Sequence, residues 1–194
     1  MIPGSSARAA AGTDGMAIDT WAFRRAMGAF ATGVTVITAS RGDGGYIGVT
    51  VNSFCSVSLE PPMVLWCLKT NAYHFRHFQS ASHFNVNVLA ADQLWLSQRF
   101  AGRFTDRFSD IPHRLSASGA PLIAGCVALL ECRTCAVHPG GDHAILLGEV
   151  EGLATSDGAG LVFHHGRFMT GARAESDWIA RAHGGAAHDV IDFW

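Results

Sequence analysis

Short runs of β-branched and aromatic residues, each ended by a Gly- or Pro-containing turn, constrain the fold of this chain more than any other feature. Residues 34–39 (VTVITA), 47–53 and 63–68 (MVLWCL) are runs of this kind, and residues 41–45 and 60–62 are the turns between them. The further runs are 83–89, 128–137, 143–153 and 161–163. Six or seven strands at this spacing predict a mainly β protein that closes, or nearly closes, into a barrel.

Two periodicities assign faces to individual elements. In 83–89, apolar residues alternate with Asn85 and Asn87, which predicts a strand with one apolar and one polar face. Near the start of the chain, Thr20 can cap a helix whose apolar residues recur at i, i+4 and i+7. We expect this helix to bury one face, formed by Phe23, Met27 and Phe30.

Two shorter helices are expected farther along the chain. Phe75 and Phe78 fall on a short helix after Asn71. Asp92 can start another helix, which ends near residues 100–102. The residues of this second helix that we expect to pack inward are Leu94, Trp95 and Leu96.

The composition fits a single folded domain and excludes several classes of partner. Of the 194 residues, 48% are hydrophobic and only 15% are charged, which excludes disorder as the dominant state. A net charge of -2 provides no basic field for a phosphate backbone, so we expect no nucleic acid partner. The longest uncharged stretches, 26–40 and 44–59, are shorter than the ~20 apolar residues of a membrane span, so we expect no membrane insertion.

We divide the chain into three parts. Residues 1–17 are rich in Ala, Gly and Ser and predict a disordered N-terminal tail without a secretory signal. Residues 18–171 contain the strands and helices, and residues 172–194 form a C-terminal tail whose apolar end, 190–194, can dock on a partner subunit. Because no signal sequence precedes them, the five cysteines are expected to be reduced thiols in a cytoplasmic protein.

Two groups of side chains suggest a metal or redox site, and their spacing argues against one. Cys132 and Cys135 would point to opposite faces of a strand, so both sulfurs cannot reach one ion, and we interpret them as core cysteines. His74 and His77 could chelate from one face of a helix, but no third ligand is near them in sequence. We interpret them as exposed histidines and predict no metal.

Three common catalytic or nucleotide-binding motifs are missing from the sequence. There is no G-x-G-x-x-G after a strand, no G-x-x-x-x-G-K-[ST] and no G-x-S-x-G. A Rossmann dinucleotide site, a P-loop and an α/β-hydrolase nucleophile are therefore unsupported.

The segment 48–62 (GVTVNSFCSVSLEPP) is the most informative for binding. It places neutral hydroxyl and amide groups beside an apolar strand, and Lys69 follows at the end of the next strand. Such groups can hydrogen-bond a polar heterocycle and a ribityl chain, while one cation meets a phosphate. The alternative is a Ser/Thr-rich hairpin whose hydroxyls satisfy their own backbone.

An ordered series of motifs resembles the flavin reductase-like family, the small reductase components of two-component flavin monooxygenases. The series begins with FRRAMGAFATGVTVIT (23–38), TVNSFCSVSLEPP (50–62) and FNVNVL (84–89). It continues through Gln93, Ser97, 99–101, 119–122, 141–143 and 166–168. The resemblance covers roughly residues 23–170 and implies a flavin-binding split β-barrel with Greek-key topology, six to seven strands, and a homodimer.

The resemblance also implies positions for two ligands. The positions that match the family's flavin-binding residues are Thr50, Val51, Asn52, Ser53, Ser56, Ser58, Lys69, Phe100 and Ala101. Those that match its nicotinamide-binding region are His143, Arg167 and Phe168. Family members often carry Ala or Ser where Val51 and Asn52 stand, and Tyr where Phe168 stands. From spacing alone, His143 reads as a turn histidine after Gly-Gly-Asp, and Asp142 either orients its ring or caps the turn.

The implied activity is an NAD(P)H:flavin oxidoreductase. It would use NADH or NADPH to reduce FMN or FAD by hydride transfer, and reduced flavin would pass to a separate monooxygenase. Hydride transfer between cofactors requires no acid–base residue from the protein. Two other classes remain open: a non-enzymatic flavin- or haem-binding module on the same barrel, and a metal-dependent hydrolase that uses His74, His77 and His143.

Overall fold

The computed structural model describes residues 17–102 and 106–169, which form a twisted sheet with three short helices around it. The helices are α1 (Thr20–Gly28), α2 (Phe75–Ser80) and α3 (Leu94–Ala101). The strands are β1 (Thr32–Gly33), β2 (Thr35–Ser40), β3 (Tyr46–Val51), β4 (Cys55–Leu59), β5 (Pro62–Lys69), β6 (His83–Val88), β7 (His113–Leu115), β8 (Pro121–Ile123), β9 (Ala128–Gly140), β10 (His143–Thr155), β11 (Val162–His164) and β12 (Arg167–Met169). The expected tails, 1–17 and 172–194, lie almost wholly outside the described residues.

Seven strands form one antiparallel sheet, which confirms the expected barrel of six to seven strands in a mainly β chain. Their order is β3-β2-β6-β9-β10-β5-β4. The two edge strands, β3 and β4, are consecutive in the chain and joined only by residues 52–54, so the sheet curls until its edges approach. No ladder joins β3 to β4, and the barrel is split along this line. β4 has no counterpart among the expected strands, because its Ser-rich sequence favours a turn as much as a strand.

The barrel interior is an apolar cluster centred on Trp66. This side chain is fully buried, and the rings of Phe78 and Phe84 meet it edge-on at centroid distances of 5.1 and 5.7 Å. Edge-on contact is the favoured arrangement for aromatic pairs. Phe78 comes from α2, so the interior also fixes this helix across the barrel, and the expectation of a short helix carrying Phe75 and Phe78 is confirmed.

The polar face of β6 is buried as well as its apolar face. Asn85 and Asn87 are both fully buried, because the β7–β8 hairpin covers them. The Asn85 side chain donates to the carbonyls of Ala120 and Pro121, and the Asn87 carboxamide oxygen accepts from the backbone N–H of Ile123. The alternation along β6 is therefore confirmed, with the amides holding a second layer instead of facing water.

The expectation of a buried face on the first helix is wrong for the described chain. No residue of α1 is buried, and Phe23, Met27 and Phe30 are 54%, 55% and 73% exposed. The helical spacing is correct, but no described element packs on this face; only the end of α1 is held, where Gly28 accepts from the N–H of His165. The N-cap is Asp19 rather than Thr20, and its carboxylate accepts from the N–H of Ala22.

Three further expectations need correction. On α3, Leu96 is buried but Trp95 is 49% exposed, since the helix begins at Leu94 and turns Trp95 outward. On α2, His74 is only partly exposed, because the helix start folds back onto the barrel. On β9, Cys132 is buried and Cys135 is exposed, so the two sulfurs do lie on opposite faces, but only Cys132 belongs to the core.

Candidate functional site

The split between β3 and β4 exposes backbone that no other strand pairs. Among the described strands, β3 pairs only with β2 and β4 only with β5, so the facing edges of both strands keep ladder positions that no described strand pairs. Residues 52–54 cross between these edges. Unpaired N–H groups along such a line are donors for a polar ligand.

The segment from Thr50 to Ser53 lines one side of the split, and two of its hydroxyls already have partners. Thr50 donates from Oγ1 to the carbonyl of Ser97 at 2.7 Å, which ties β3 to α3. Ser53 Oγ donates to the carbonyl of Cys67 and accepts from the Cys67 N–H, so it fixes the crossing segment against β5. Val51 is buried in the barrel core, whereas Asn52 is exposed.

β4 supplies further hydroxyl groups along the same edge. Ser56 is exposed, and Ser58 is half-buried, with its Oγ accepting from the N–H of Glu60 at 3.2 Å. Ser58 therefore keeps its own O–H available for a ligand. A register irregularity between Ser56 and Ser58 bends the strand where it pairs with β5.

Lys69 and His143 are direct cross-strand partners at the end of β5 and the start of β10. Lys69 lies two residues beyond Cys67, the backbone partner of Ser53, so the pair stands next to the split. The Asp142 carboxylate accepts from Nδ1 of His143 at 2.6 Å, which leaves Nε2 of the ring without a partner in the described residues. This hydrogen bond, with the positive charges of His143 and Lys69, holds the pKa of Asp142 below its ordinary value. Asp142 thus orients the ring.

Phe100 and Ala101 lie at the end of α3, beside β3. Phe100 is buried, and its ring packs over Gly48, where a Cβ would come within 2.5 Å of the ring. Its side chain shapes the wall behind Thr50, while Ala101 is exposed at the helix end. Sequence reasoning placed both residues beside the same cofactor, and the structure gives them different surroundings.

Arg107 is a residue that sequence reasoning missed. Its guanidinium donates to the carbonyls of Gly48, Phe100 and Gly102, so it fastens the end of α3 to β3. Its Nε is buried without a partner in the described chain, as is Nδ1 of His74. Burial and then the charge of Arg107 lower the pKa of His74 to about 4. The pattern around Arg107 offers no local signal, because its three partners are carbonyls supplied by two other elements.

Arg167 and Phe168 belong to a different small sheet, formed by β1, β11 and β12. The ring of Phe168 packs on Phe163 at a centroid distance of 5.0 Å. Nearby, His164 contacts the carbonyl of Ala29 at the end of α1. The structure therefore groups Arg167 and Phe168 with α1, and no hydrogen bond or ion pair of the described residues joins them to His143.

The three histidines of the metal-hydrolase alternative do not come together. His74 and His77 lie 6.0 Å apart by ring centroids, while His143 pairs with Asp142 at the β9–β10 turn. Within residues 17–102 and 106–169, no group of three or more metal-ligating side chains has the geometry to hold an ion. In the same ranges, no helix has the length and apolar character to cross a membrane.

The donor set of the split fits a flavin mononucleotide unit. Unpaired backbone donors at the two strand edges suit the polar edge of a heterocycle, and Lys69, two residues from Cys67, supplies a cation for a phosphate. The hydroxyls of Ser56 and Ser58 suit a polyol, but they pair with Val64 and Met63 at the other end of β5, so the structure does not bring them together with Lys69. No ion pair occupies the Lys69 ammonium in the described residues. The free Nε2 of His143 beside it provides a contact for a second ligand.

Several known proteins have sequences similar to this chain. Residues 27–172 match the model of the flavin reductase like domain. The chain is 48% identical over 146 residues to the FMN reductase (NADH) SmoA of Agrobacterium fabrum, which covers 75% of this chain and 83% of that protein. It is 41% identical to the reductase component of a flavin-dependent trigonelline monooxygenase of Acinetobacter baylyi, over 81% of this chain but only 51% of that protein.

A solved structure extends the similarity to three dimensions. The NADH:FAD oxidoreductase SgcE6 of Streptomyces globisporus, in complex with NAD and FAD fragments, superposes with a TM-score of 0.77 at 41% identity. The match covers 81% of this chain and 96% of that one. The likeness therefore spans the whole barrel and both sides of the split.

Proposed function

The chain belongs to the flavin reductase like domain family, and on that premise we propose that it is an NADH-dependent flavin reductase that supplies reduced flavin to a separate monooxygenase. The observation that carries the proposal is the position of Lys69 and His143 as cross-strand neighbours at the split. One residue can hold a phosphate and the other can contact a second ligand, so both reactants of a flavin reductase can meet here. The non-enzymatic binding module is not favoured, because the named relatives are reductases.

We assign the flavin to the split itself. Backbone N–H groups of residues 50–54 would hold the ring's polar edge and stabilise negative charge that develops there. Lys69 would bind the phosphate. Ser56 and Ser58 pair with Val64 and Met63 at the other end of β5, so the ribityl chain of a flavin whose phosphate lies at Lys69 would not reach them. Val51 and Phe100 are buried, and they would pack behind the exposed donors and fix their position.

His143 is assigned to the nicotinamide nucleotide. The bound flavin and nicotinamide supply hydride transfer between their rings. The chain's part is to hold the two ligands in contact and to exclude water from between them. Asp142 would hold Nδ1 of His143 and leave Nε2 available for a hydrogen bond with the nucleotide. Arg167 and Phe168 would meet the distal part of the nucleotide only if it extends toward α1.

The remaining assignments concern assembly and compartment. A homodimer would cover the apolar residues that α1 leaves exposed. A cytoplasmic location fits the five cysteines, all of which are free thiols in the structure. The monooxygenase partner would meet the protein transiently, since the flavin must leave the site after reduction.

A steady-state assay that crosses FMN and FAD with NADH and NADPH tests the activity. Catalytic amounts of the protein should oxidise NADH only when flavin is added, and NADH should be preferred to NADPH. The matched assay with a metal chelator should give the same rate. A protein that binds flavin but oxidises no nucleotide would be the non-enzymatic module instead.

A further inference from the structure

A second polar cavity lies at the β2–β3 turn, at the opposite end of these strands from Thr50. Its volume is about 290 Å3, near the lower limit for small-molecule sites. It is bounded by the end of β2, the end of α2, the start of β6 and the β7–β8 turn. Its principal polar lining residues are Ser40, Arg41, His77, Ser82, His83 and Ser118. None of these residues belongs to the flavin site assigned above.

Arg41 is held in place for this cavity by the turn that follows it. Asp43 accepts from Nε and Nη2 of Arg41 and also from the N–H of Gly45, so the turn fixes the guanidinium. In the described chain Nη1 of Arg41 has no partner, and it remains a charged donor at the cavity wall. Nε and Nη2 therefore fix the position of the guanidinium, and Nη1 is available to a ligand.

The other groups around the cavity are also donors or cations. His77 has no hydrogen-bond partner for its ring nitrogens in the described residues, and four serines contribute hydroxyls. Burial, and then the charges of Arg107, His77 and Arg41, lower the pKa of His74, which lies outside the cavity next to α2. Two carboxylates face the same residues from outside: Asp43 on Arg41, and Glu151 at 3.6 Å from Nε2 of His83.

None of the described residues that line the cavity is acidic. A ligand inside it would meet Nη1 of Arg41, the unpartnered ring of His77 and several hydroxyls, while Nδ1 of His83 already contacts Ser82 and its Nε2 faces Glu151. An oxyanion satisfies such a set best, because its oxygens accept from every one of these groups and charge-assisted hydrogen bonds are the strongest available. A phosphoryl group offers three such oxygens on one centre.

We propose that this cavity is a binding site for the phosphate group of a small molecule, separate from the flavin site. Arg41 is its anchoring cation, His77 lies across from it, and the hydroxyls of Ser40, Ser82 and Ser118 complete the donor set. The proposal does not depend on the reductase activity.

The test is a titration of the full-length protein with inorganic phosphate at constant ionic strength and pH 7, followed by calorimetry and by the NMR signals of the histidine rings. Parallel titrations use sulfate, glycerol phosphate and acetate. We expect saturable binding of phosphate and glycerol phosphate that moves the His77 and His83 signals, with weaker binding of acetate. Arg41→Gln should raise the phosphate Kd at least about tenfold, and His77→Gln should raise it severalfold.

Arg76→Gln is the matched control, because Arg76 is an exposed cation next to His77 that does not line the cavity. It should leave phosphate binding unchanged, and all three variants should keep the FMN affinity and circular dichroism spectrum of the parent. Three results would overturn the proposal: a salt effect without saturation, equal losses in Arg41→Gln and Arg76→Gln, or competition between phosphate and FMN for one site.

Discussion

His143 is the residue whose replacement separates the two proposed ligands most sharply. Because its ring is assigned to the nicotinamide nucleotide, His143→Ala should leave FMN affinity nearly intact and lower kcat/KM for NADH by about tenfold or more, the loss of one hydrogen bond of about 1.4 kcal/mol. Steady-state kinetics and a separate FMN titration measure both quantities. His138→Ala, an exposed histidine on β9, is the control.

Asp142 supports the same assignment from one residue away. Asp142→Asn keeps the shape of the side chain but weakens its hold on Nδ1, so it should lower kcat/KM in the same direction as His143→Ala and by less. The double variant should be no worse than His143→Ala, because Asp142 acts only through the ring. Additive losses in the double variant would assign Asp142 an independent role.

Lys69 is the test of the phosphate contact. Removing its ammonium by Lys69→Gln should weaken FMN binding by about 1–3 kcal/mol, or about 5- to 150-fold, because a charge-assisted hydrogen bond is lost. Fluorescence quenching of FMN measures the change, and riboflavin, which lacks the phosphate, is the matched ligand. If FMN and riboflavin lose affinity equally, Lys69 does not contact the phosphate.

His74 predicts a pH dependence of stability. Its pKa is about 4 in the folded protein and about 6.5 in the unfolded chain, so the unfolded state binds more protons between these values. The free energy of unfolding should therefore fall as the pH drops from 6.5 to 4, by on the order of 1 kcal/mol from this group after allowance for its partial exposure. His74→Gln should flatten that part of the pH profile in urea denaturation. If the free energy of unfolding depends on pH in the same way in His74→Gln as in the parent, His74 is not the group responsible for that dependence.

At the scale of elements, the contact between α3 and β3 depends on a missing side chain. Gly48→Ala would place a Cβ 2.5 Å from the buried Phe100 ring, so it should lower the free energy of unfolding by about 1–3 kcal/mol. Gly33→Ala is the control, since no atom lies within 4 Å of its Cβ position. Urea denaturation of both variants measures the difference. Equal stability of the two would mean that α3 adjusts its position freely.

The spacing of apolar residues and the positions of turn residues predicted most of the helices and strands, but they did not indicate which element covers each face. The strands β2, β3, β5, β6, β9, β10 and β11 were placed within a few residues, because their β-branched runs end at Gly and Pro, whereas the short strands β4, β7 and β8 were not predicted. The helical spacing of Phe23 and Met27 was read correctly, yet spacing indicates an apolar face without saying which element buries it. The alternation along β6 was predicted correctly, but it does not indicate that the β7–β8 hairpin covers the two amides.

The same limit applies to the site. Thr50, Ser53 and Lys69 were identified from residue types and their resemblance to a family, and the structure brings them to one split. Spacing could not show that the hydroxyls of Thr50 and Ser53 are already used to fix α3 and β5. Arg107 could not be found from sequence, since its role consists of three carbonyl contacts that exist only after folding.

At the scale of the whole molecule, the exposed face of α1 predicts self-association. Phe23, Met27 and Phe30 are 54%, 55% and 73% exposed, and their i, i+4, i+7 spacing puts them on one side, as a patch that a second copy would cover. Light scattering at micromolar concentration should give about twice 20.6 kDa. Phe23→Glu should shift the protein toward the monomer, while Arg24→Glu on the same helix should not. A 20.6 kDa particle for the parent chain would exclude the homodimer.

Anaerobic flavin reduction is the sharpest test of the proposed flavin reductase activity, because it isolates hydride transfer from the later reaction of reduced flavin with oxygen. With catalytic amounts of the protein, we expect the absorbance of oxidised FMN to disappear, with one FMN consumed for each NADH. Deuterium at the transferred position of the nicotinamide should slow the reduction under single-turnover conditions. Absence of protein-dependent bleaching, or bleaching that disappears when a chelator removes metal ions, would contradict the proposed flavin reductase activity.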